Sequence, residues 1–259
     1  MQDVALASFR RLVREQIVPP FRVVKRAIPA LSLEKLREQV LASPLSGRTT
    51  LNGPFEATRG FGVTFTVAGR EKLEARFPEL VPFVQLALGE DALRSLSPWP
   101  ARLWRKPAPP NAWYLNLLLV GDGAQVTRHI DATLAGTVEK PGTTPVVVSV
   151  LYLDVPQRSG GELVLSRGER VLGVVTPRAR TLVHFDGTLD HAVAPASGIP
   201  EGRFRASLVL EQYRLGEALL ARVPELRVES GAGFGAFLQD RANRFPLPLG
   251  EGGRRPGEG

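Results

Sequence analysis

Eight short apolar or alternating runs within about one hundred residues, the turn-forming residues between them, and helical spacing confined to the N-terminal part predict a mainly β fold with flanking α. The runs are WYLNLLLV, AQVTRHI, VVVSVLYL, GELVLS, RVLGVV, ARTLVHF, HAVAPA and FRASLVLEQY, all between Trp113 and Tyr213. Eight is the number of strands that a double-sheet jelly roll requires.

Ahead of the strands, residues 4–16 and 31–42 carry apolar side chains at helical spacing, the second set being Leu31, Leu33, Leu36, Val40 and Leu41 with Ser32 placed to cap it. Residues 70–96 predict one or two short helices broken by Pro78 and Pro82, and the stretch PWPARLWRKPAPPN, from Pro98 to Asn111, marks a boundary. Leu215 onward predicts a short helix, and the Gly, Pro and charge-rich ending PLPLGEGGRRPGEG predicts disorder. Three regions follow: an N-terminal helical region over 1–110 packing on the core, a β core over 111–215, and a C-terminal helix and tail over 216–259.

Composition narrows the chemistry. The chain has 259 residues, 43% hydrophobic and 23% charged, the balance of a globular protein with a sizeable core. It contains no cysteine, which removes disulfides, thiolate metal sites and cysteine nucleophiles and leaves His, Asp and Glu as strong metal ligands. No apolar run approaches the roughly 20 residues that span a bilayer, so a soluble, cytoplasmic protein is expected. The net charge of +7 falls entirely in residues 1–110. Without aromatic interleaving or a nucleic-acid motif, that excess reads as a solvated basic face.

Only three histidines are present. His129 and Asp131 flank one residue, and in an extended strand positions i and i+2 point to the same face, so imidazole and carboxylate converge while Ile130 and Arg128 turn away. An H-x-D pair alone is equally compatible with a polar strand edge. His191, opening the run HAVAPA, supplies a second imidazole across several strands, and two imidazoles with one carboxylate form the facial triad of non-haem iron(II). Zinc accepts the same ligands. The run FRASLVLEQY favours iron, because Arg203, Arg205 and Ser207 share one face of an otherwise apolar strand. An arginine facing the interior of a jelly roll needs an anion, and its planar fork pairs bidentately with a carboxylate. A dicarboxylate cosubstrate satisfies both metal and arginine.

On these residues the sequence resembles the Fe(II)/2-oxoglutarate-dependent dioxygenases, in particular the prolyl-4-hydroxylase-like branch. The resemblance spans about Trp113 to Tyr213 and rests on H-x-D at His129 and Asp131, G-G-E-L at Gly160 to Leu163, His191 in HAVAPASG, and R-x-S at Arg205 and Ser207. It implies a double-stranded β-helix of the jelly-roll, cupin-like kind, with Fe(II), 2-oxoglutarate and dioxygen as cofactors. Its metal ligands are His129, Asp131 and His191, with Arg205, helped by Ser207, holding the distal carboxylate of 2-oxoglutarate.

The implied reaction couples decarboxylation of 2-oxoglutarate to succinate with hydroxylation of an unactivated C–H in a small molecule, such as an amino acid or natural-product intermediate, or in a peptide residue. Many halogenases of this family replace the carboxylate ligand with a small residue, so Asp131 favours hydroxylation. The interval from His191 to Arg205 is longer than the family's usual spacing, with the surplus in the turn Ile199 to Gly202, and Arg203 stands as a second candidate anchor.

Tyr114, on one face with Asn116, is a further candidate cosubstrate contact. His184 reads as a packed histidine, and the loop from Ala132 to Pro145 as a candidate lid. Two alternatives stand beside the hydroxylase. A nucleic-acid demethylase of the same superfamily would carry a longer arginine and asparagine pattern than GRFRASLVLEQY offers, which makes nucleic acid an unlikely partner. A non-catalytic jelly-roll binding module would carry the triad incidentally. A zinc hydrolase leaves Arg205 and Ser207 unexplained.

Overall fold

The computed structural model describes residues 20–48, 53–55, 58–89, 96, 108–135 and 144–231. The helix expected over 4–16, most of the proline-dense stretch, residues 136–143 of the candidate lid and the tail from 232 lie outside the described residues.

All eight runs form strands, four in each of two sheets. They are β4 (Ala112–Val120), β5 (Val126–His129), β6 (Val147–Asp154), β8 (Leu163–Arg167), β9 (Arg170–Val175), β10 (Leu182–Asp186), β11 (Asp190–Val193) and β13 (Arg205–Tyr213). The antiparallel major sheet runs β10, β6, β13, β4 and the minor sheet runs β5, β11, β8, β9, which is the double-stranded β-helix. A two-residue pair, β7 (Ser159–Gly160) with β12 (Ala196–Ser197), links the connections at one end.

The major sheet is wider than the sequence pattern suggests. It gains β1 (Phe21–Val24) beside β10, β3 (Thr58–Thr66) beside β4, β14 (Leu226–Ser230) beside β3, and the two-residue β2 (Gly47–Arg48) against β3. The N-terminal residues therefore contribute strands as well as helices to the core. β3 escapes a period-2 reading because Gly60 and Gly62 interrupt it, and both are there for close approach. A Cβ at Gly60 would lie 1.7 Å from the Leu117 carbonyl oxygen, and one at Gly62 would lie 2.2 Å from the Tyr114 hydroxyl.

Helices cover the outer face of the major sheet: α1 (Ala30–Leu41), α2 (Arg70–Arg76) and α3 (Val81–Leu88), with α4 (Glu217–Leu220) following β13. Leu33, Leu36 and Val40 of α1 and Phe83 of α3 join Trp113, Leu115, Leu117, Leu208 and Leu210 of the sheet in one core. Leu31, by contrast, is 81% exposed. α1 begins two residues before the expected cap, with Pro29 at the N-cap and Ser32 inside the first turn making no capping bond. Pro78 does interrupt the helical segment, but Pro82 sits in the first turn of α3, where its missing N–H is no loss.

Because helices pack on one side and the minor sheet faces the other, every residue of β4 is buried, and eight of nine in β13. Odd positions of β13 (205, 207, 209, 211) line the space between the sheets, and even positions (206, 208, 210) join the helix-side core. His184 belongs to the helix side. Its Nδ1 lies 2.8 Å from Ser149 Oγ, and Gln212 Nε2 donates to Ala87 O at 3.1 Å and to Ser149 Oγ at 3.4 Å. This satisfied buried network makes His184 a packed histidine remote from the other two. Among the described residues no helix is long and apolar enough to cross a membrane.

Leu36, 2% exposed, fills the α1 interface, so Leu36→Ala is expected to lower unfolding free energy by about 2–5 kcal/mol through lost burial and the cavity left behind. The exposed Leu31→Ala should stay within about 0.5 kcal/mol of the parent. Urea denaturation of the two variants checks the assignment.

Candidate metal and dicarboxylate site

The antiparallel register of β11 on β5 sets His191 directly opposite His129, and their ring centroids lie 4.2 Å apart. Asp131 follows two residues after the end of β5. Its Oδ1 is 3.3 Å from His129 Nε2 and its Oδ2 is 3.4 Å from His191 Nε2. Ile130 between them is 40% exposed, as the alternation requires, while Asp131 is 5% exposed. One ligand atom from each of His129, Asp131 and His191 falls within 4.8 Å of the others, and this is the cluster of metal-binding type found among the described residues.

Hydrogen bonding presets both imidazoles. His129 Nδ1 lies 2.7 Å from the Thr127 carbonyl oxygen and His191 Nδ1 lies 3.3 Å from that of Leu189. A carbonyl only accepts, so each Nδ1 carries the proton and each Nε2 turns a lone pair toward Asp131. His129 Nε2 and Asp131 Oδ2 are buried without a hydrogen-bond partner among the described residues. Lone pairs and a carboxylate converging with no donor between them suit a cation at their centre.

Protonated imidazoles would favour the carboxylate in the same way that a cation does. Burial pushes the Asp131 carboxyl up, but His191 and His129 outweigh it and hold the group well below the usual carboxylate range. Burial likewise disfavours a charged His191, and Asp131 more than compensates. Phe55 packs edge-on to His129 at 4.8 Å and Phe185 lies 4.9 Å from His191, so the cluster has apolar walls.

Arg205 enters the same cleft from the major sheet. It is 1% exposed, and Nη1 donates to the Gly161 carbonyl oxygen at 2.6 Å. Among the described residues its Nε has no hydrogen-bond partner, and neither has the neighbouring Ser207 Oγ. The Tyr152 ring lies 5.6 Å from the guanidinium carbon. Burial pulls the Arg205 pKa down, the attraction of Tyr152 opposing it. Among the described residues no carboxylate pairs with Arg205.

Arg203, the other candidate, is half exposed and bound to Asp154 Oδ2 at 2.7 Å. The extra residues between His191 and Arg205 form the turn at 200–203, closed by Arg203 N–H to Pro200 O at 3.0 Å. Gly160 and Gly161 of the G-G-E-L stretch have φ of +76° and +75°, which only glycine adopts without strain. A Cβ at Gly160 would lie 2.0 Å from Pro195 O, and that conformation presents the Gly161 carbonyl to Arg205.

Tyr114 falls elsewhere. It packs with Leu134, Tyr213, Leu215 and Val223 and does not line the cleft. The register explains this: Arg205 pairs with Val120 and Glu211 with Tyr114, so the tyrosine sits six residues, about 20 Å of strand, from the arginine. Asn116, on the same face of β4, does line the cleft.

Two cleft residues escaped the sequence reading. Tyr152 was detectable as the tyrosine on the cleft-facing alternation of VVVSVLYL. Glu211 was detectable as the third polar member, after Arg205 and Ser207, of the odd-numbered face of β13. Arg128 is on the surface as expected, 3.3 Å from Glu169 and 3.4 Å from Asp190.

Residues 113–210 match the family model of the 2OG-Fe(II) oxygenase superfamily. No curated protein matches the chain. Among solved structures it is similar to a Pseudomonas putida prolyl-4-hydroxylase, with 24% identity over 76% of this chain and 94% of that one and a TM-score of 0.49. A Trichoplax adhaerens prolyl hydroxylase, solved in complex with a hypoxia inducible factor oxygen degradation domain peptide fragment, is 18% identical over 84% of this chain and 94% of that one, with a TM-score of 0.49. A 2OG-Fe(II) oxygenase family oxidoreductase from Burkholderia pseudomallei is 16% identical over 81% and 90%, with a TM-score of 0.48. The match over residues 113–210 and the cluster of His129, Asp131 and His191 together support the chemistry of a dioxygenase using Fe(II), 2-oxoglutarate and dioxygen.

Proposed function

We propose that this protein hydroxylates an unactivated C–H of a small molecule, such as an amino acid or natural-product intermediate, or of a peptide residue. The observation that carries the reading is Arg205, a buried guanidinium without a carboxylate partner among the described residues, lining the same cleft as the three clustered ligand side chains. Buried charges are stable when paired, and a diacid bridging arginine and metal pairs both ends.

In this reading His129, Asp131 and His191 hold Fe(II) through Nε2 atoms and a carboxylate oxygen, leaving open positions for exogenous ligands. When bound, Fe(II) with 2-oxoglutarate and dioxygen supplies the oxidation, giving succinate, carbon dioxide and a substrate carrying one new hydroxyl oxygen. The protein's residues orient and shelter that chemistry. Arg205 pairs with the distal carboxylate of 2-oxoglutarate, Ser207 Oγ donates to it, and Tyr152 closes that end of the cleft. Gly161 O holds the guanidinium in place beforehand, so little side-chain freedom is lost on binding. Val148, Val150, Leu163 and Val193 line the walls and keep water from the reacting centre. Asp131 supplies a carboxylate where many halogenases of this family carry a small residue, which supports hydroxylation as the outcome.

Anaerobic addition of Fe(II) and 2-oxoglutarate should produce a weak visible charge-transfer band, and a screen of amino acids and peptides should reveal a product heavier by one oxygen with matching succinate release. A preparation with no band and no succinate under any substrate would sink the proposal. Arg205→Ala should weaken 2-oxoglutarate binding by roughly 30-fold or more, the usual loss when one partner of a buried charge pair is truncated, as read from titration of that band. Arg203→Ala should leave it unchanged. His191→Ala should abolish the band.

A further inference from the structure

The metal carboxylate is the least supported of the three ligands in the backbone. His129 and His191 are held in a strand pair, but β5 ends at His129 and Asp131 lies beyond it, in irregular chain leading to a single 3-10 turn at Thr133–Ala135. What fixes that segment is a polar tether to the major sheet. Thr133 Oγ1 donates to Glu211 Oε1 at 2.8 Å. The Tyr213 hydroxyl donates to Glu211 Oε2, and Leu134 is buried against Tyr114 and Tyr213.

We infer that Glu211 is a positioning residue for the metal site, acting through Thr133 to aim the Asp131 carboxylate at the two imidazoles. The inference rests on the proposed role of Asp131 as a ligand. A direct substrate contact fits Glu211 less well, because each of its oxygens already has a hydroxyl partner. Simple filling of space also fits less well. A buried carboxyl beside Asp131 is electrostatically unfavourable, and an apolar side chain would fill the same volume without that cost. The arrangement makes sense if the bond to Thr133 is what matters. It also puts the proposed arginine anchor and the support of the metal carboxylate on one strand, β13.

The test is Co(II) binding to the metal-free protein, followed by calorimetry and by the visible d–d spectrum, with thermal denaturation as a folding control. Wild type should bind one Co(II), and Asp131→Ala should lose it. Thr133→Val, which keeps the side-chain shape and removes only the hydroxyl, and Glu211→Ala should each weaken Co(II) by about 10-fold to 100-fold, the usual effect of losing a ligand's supporting bond, and should shift the spectrum. Glu211→Gln retains an acceptor for Thr133 and should recover most of the affinity.

Wild-type affinity and spectrum in Thr133→Val and Glu211→Ala would overturn the positioning role while leaving the triad intact. If wild type binds no Co(II), or Asp131→Ala binds it unchanged, the metal-site reading falls and this inference with it. Thr133→Val alone decides if Glu211→Ala fails to fold.

Discussion

The structure depends on one constraint: β13 lies between β4 and β6 in the major sheet, with a hydrophobic layer on one face and the cleft on the other. Side chains alternate strictly along a strand, so a one-residue slip would send Arg205 and Glu211 into the helix-side core and Leu208 and Leu210 into the cleft. The first exchange would bury charge among apolar side chains at a prohibitive cost. The packing of α1 and α3 on the back of the sheet therefore fixes register, and register places the charged groups at the front.

Charge is distributed unevenly along that front face. Arg205 stands at one end of β13 with no carboxylate partner among the described residues. At the other end, Glu211 and Asp131 occupy the same buried region, where burial first and the Asp131 charge second push the Glu211 carboxyl up well beyond its ordinary range. A ligand that is anionic toward Arg205 and a cation among His129, Asp131 and His191 would relieve both ends. The empty valences at Arg205 Nε, Ser207 Oγ, His129 Nε2 and Asp131 Oδ2 describe that pair of partners from the protein's side.

Much of this was legible in the order of residues, because it is carried by local period. The eight core strands announced themselves through short apolar runs between turn formers, and the H-x-D pair, His191 and Arg205 lie on the faces that alternation assigns. What remained hidden depends on register between distant segments. Tyr114 and Asn116 share a face, yet only pairing reveals that Tyr114 sits opposite Glu211 and not beside Arg205. β3 was masked by two glycines whose purpose, contact with Leu117 and Tyr114, lies on another strand. β14, reading LRVES with half-exposed side chains, has too little apolar pattern to stand out. Ser32 was misleading for the opposite reason: a capping residue type at a plausible position, displaced because the chain turns into helix at Pro29.

The same distinction explains why Glu211 was missed although its position on β13 was in plain view. A glutamate near the end of an apolar strand is ordinarily an exposed terminus, and burial is decided by what arrives from elsewhere. Here the arriving group is the segment after His129, whose Thr133 hydroxyl reaches the carboxylate, while Tyr213 closes the other oxygen. Minor and major sheets thus exchange more than hydrophobic contact at this end of the cleft. The minor sheet and its trailing loop bring all three clustered side chains, the major sheet brings Arg205, and the Thr133 to Glu211 bond ties one contribution to the other. A jelly roll lacking that tie would still pair His129 with His191, since their register is set by the β5 and β11 ladder alone. It would leave the carboxylate, the group whose charge suits a divalent cation, hanging from an unpaired stretch of chain.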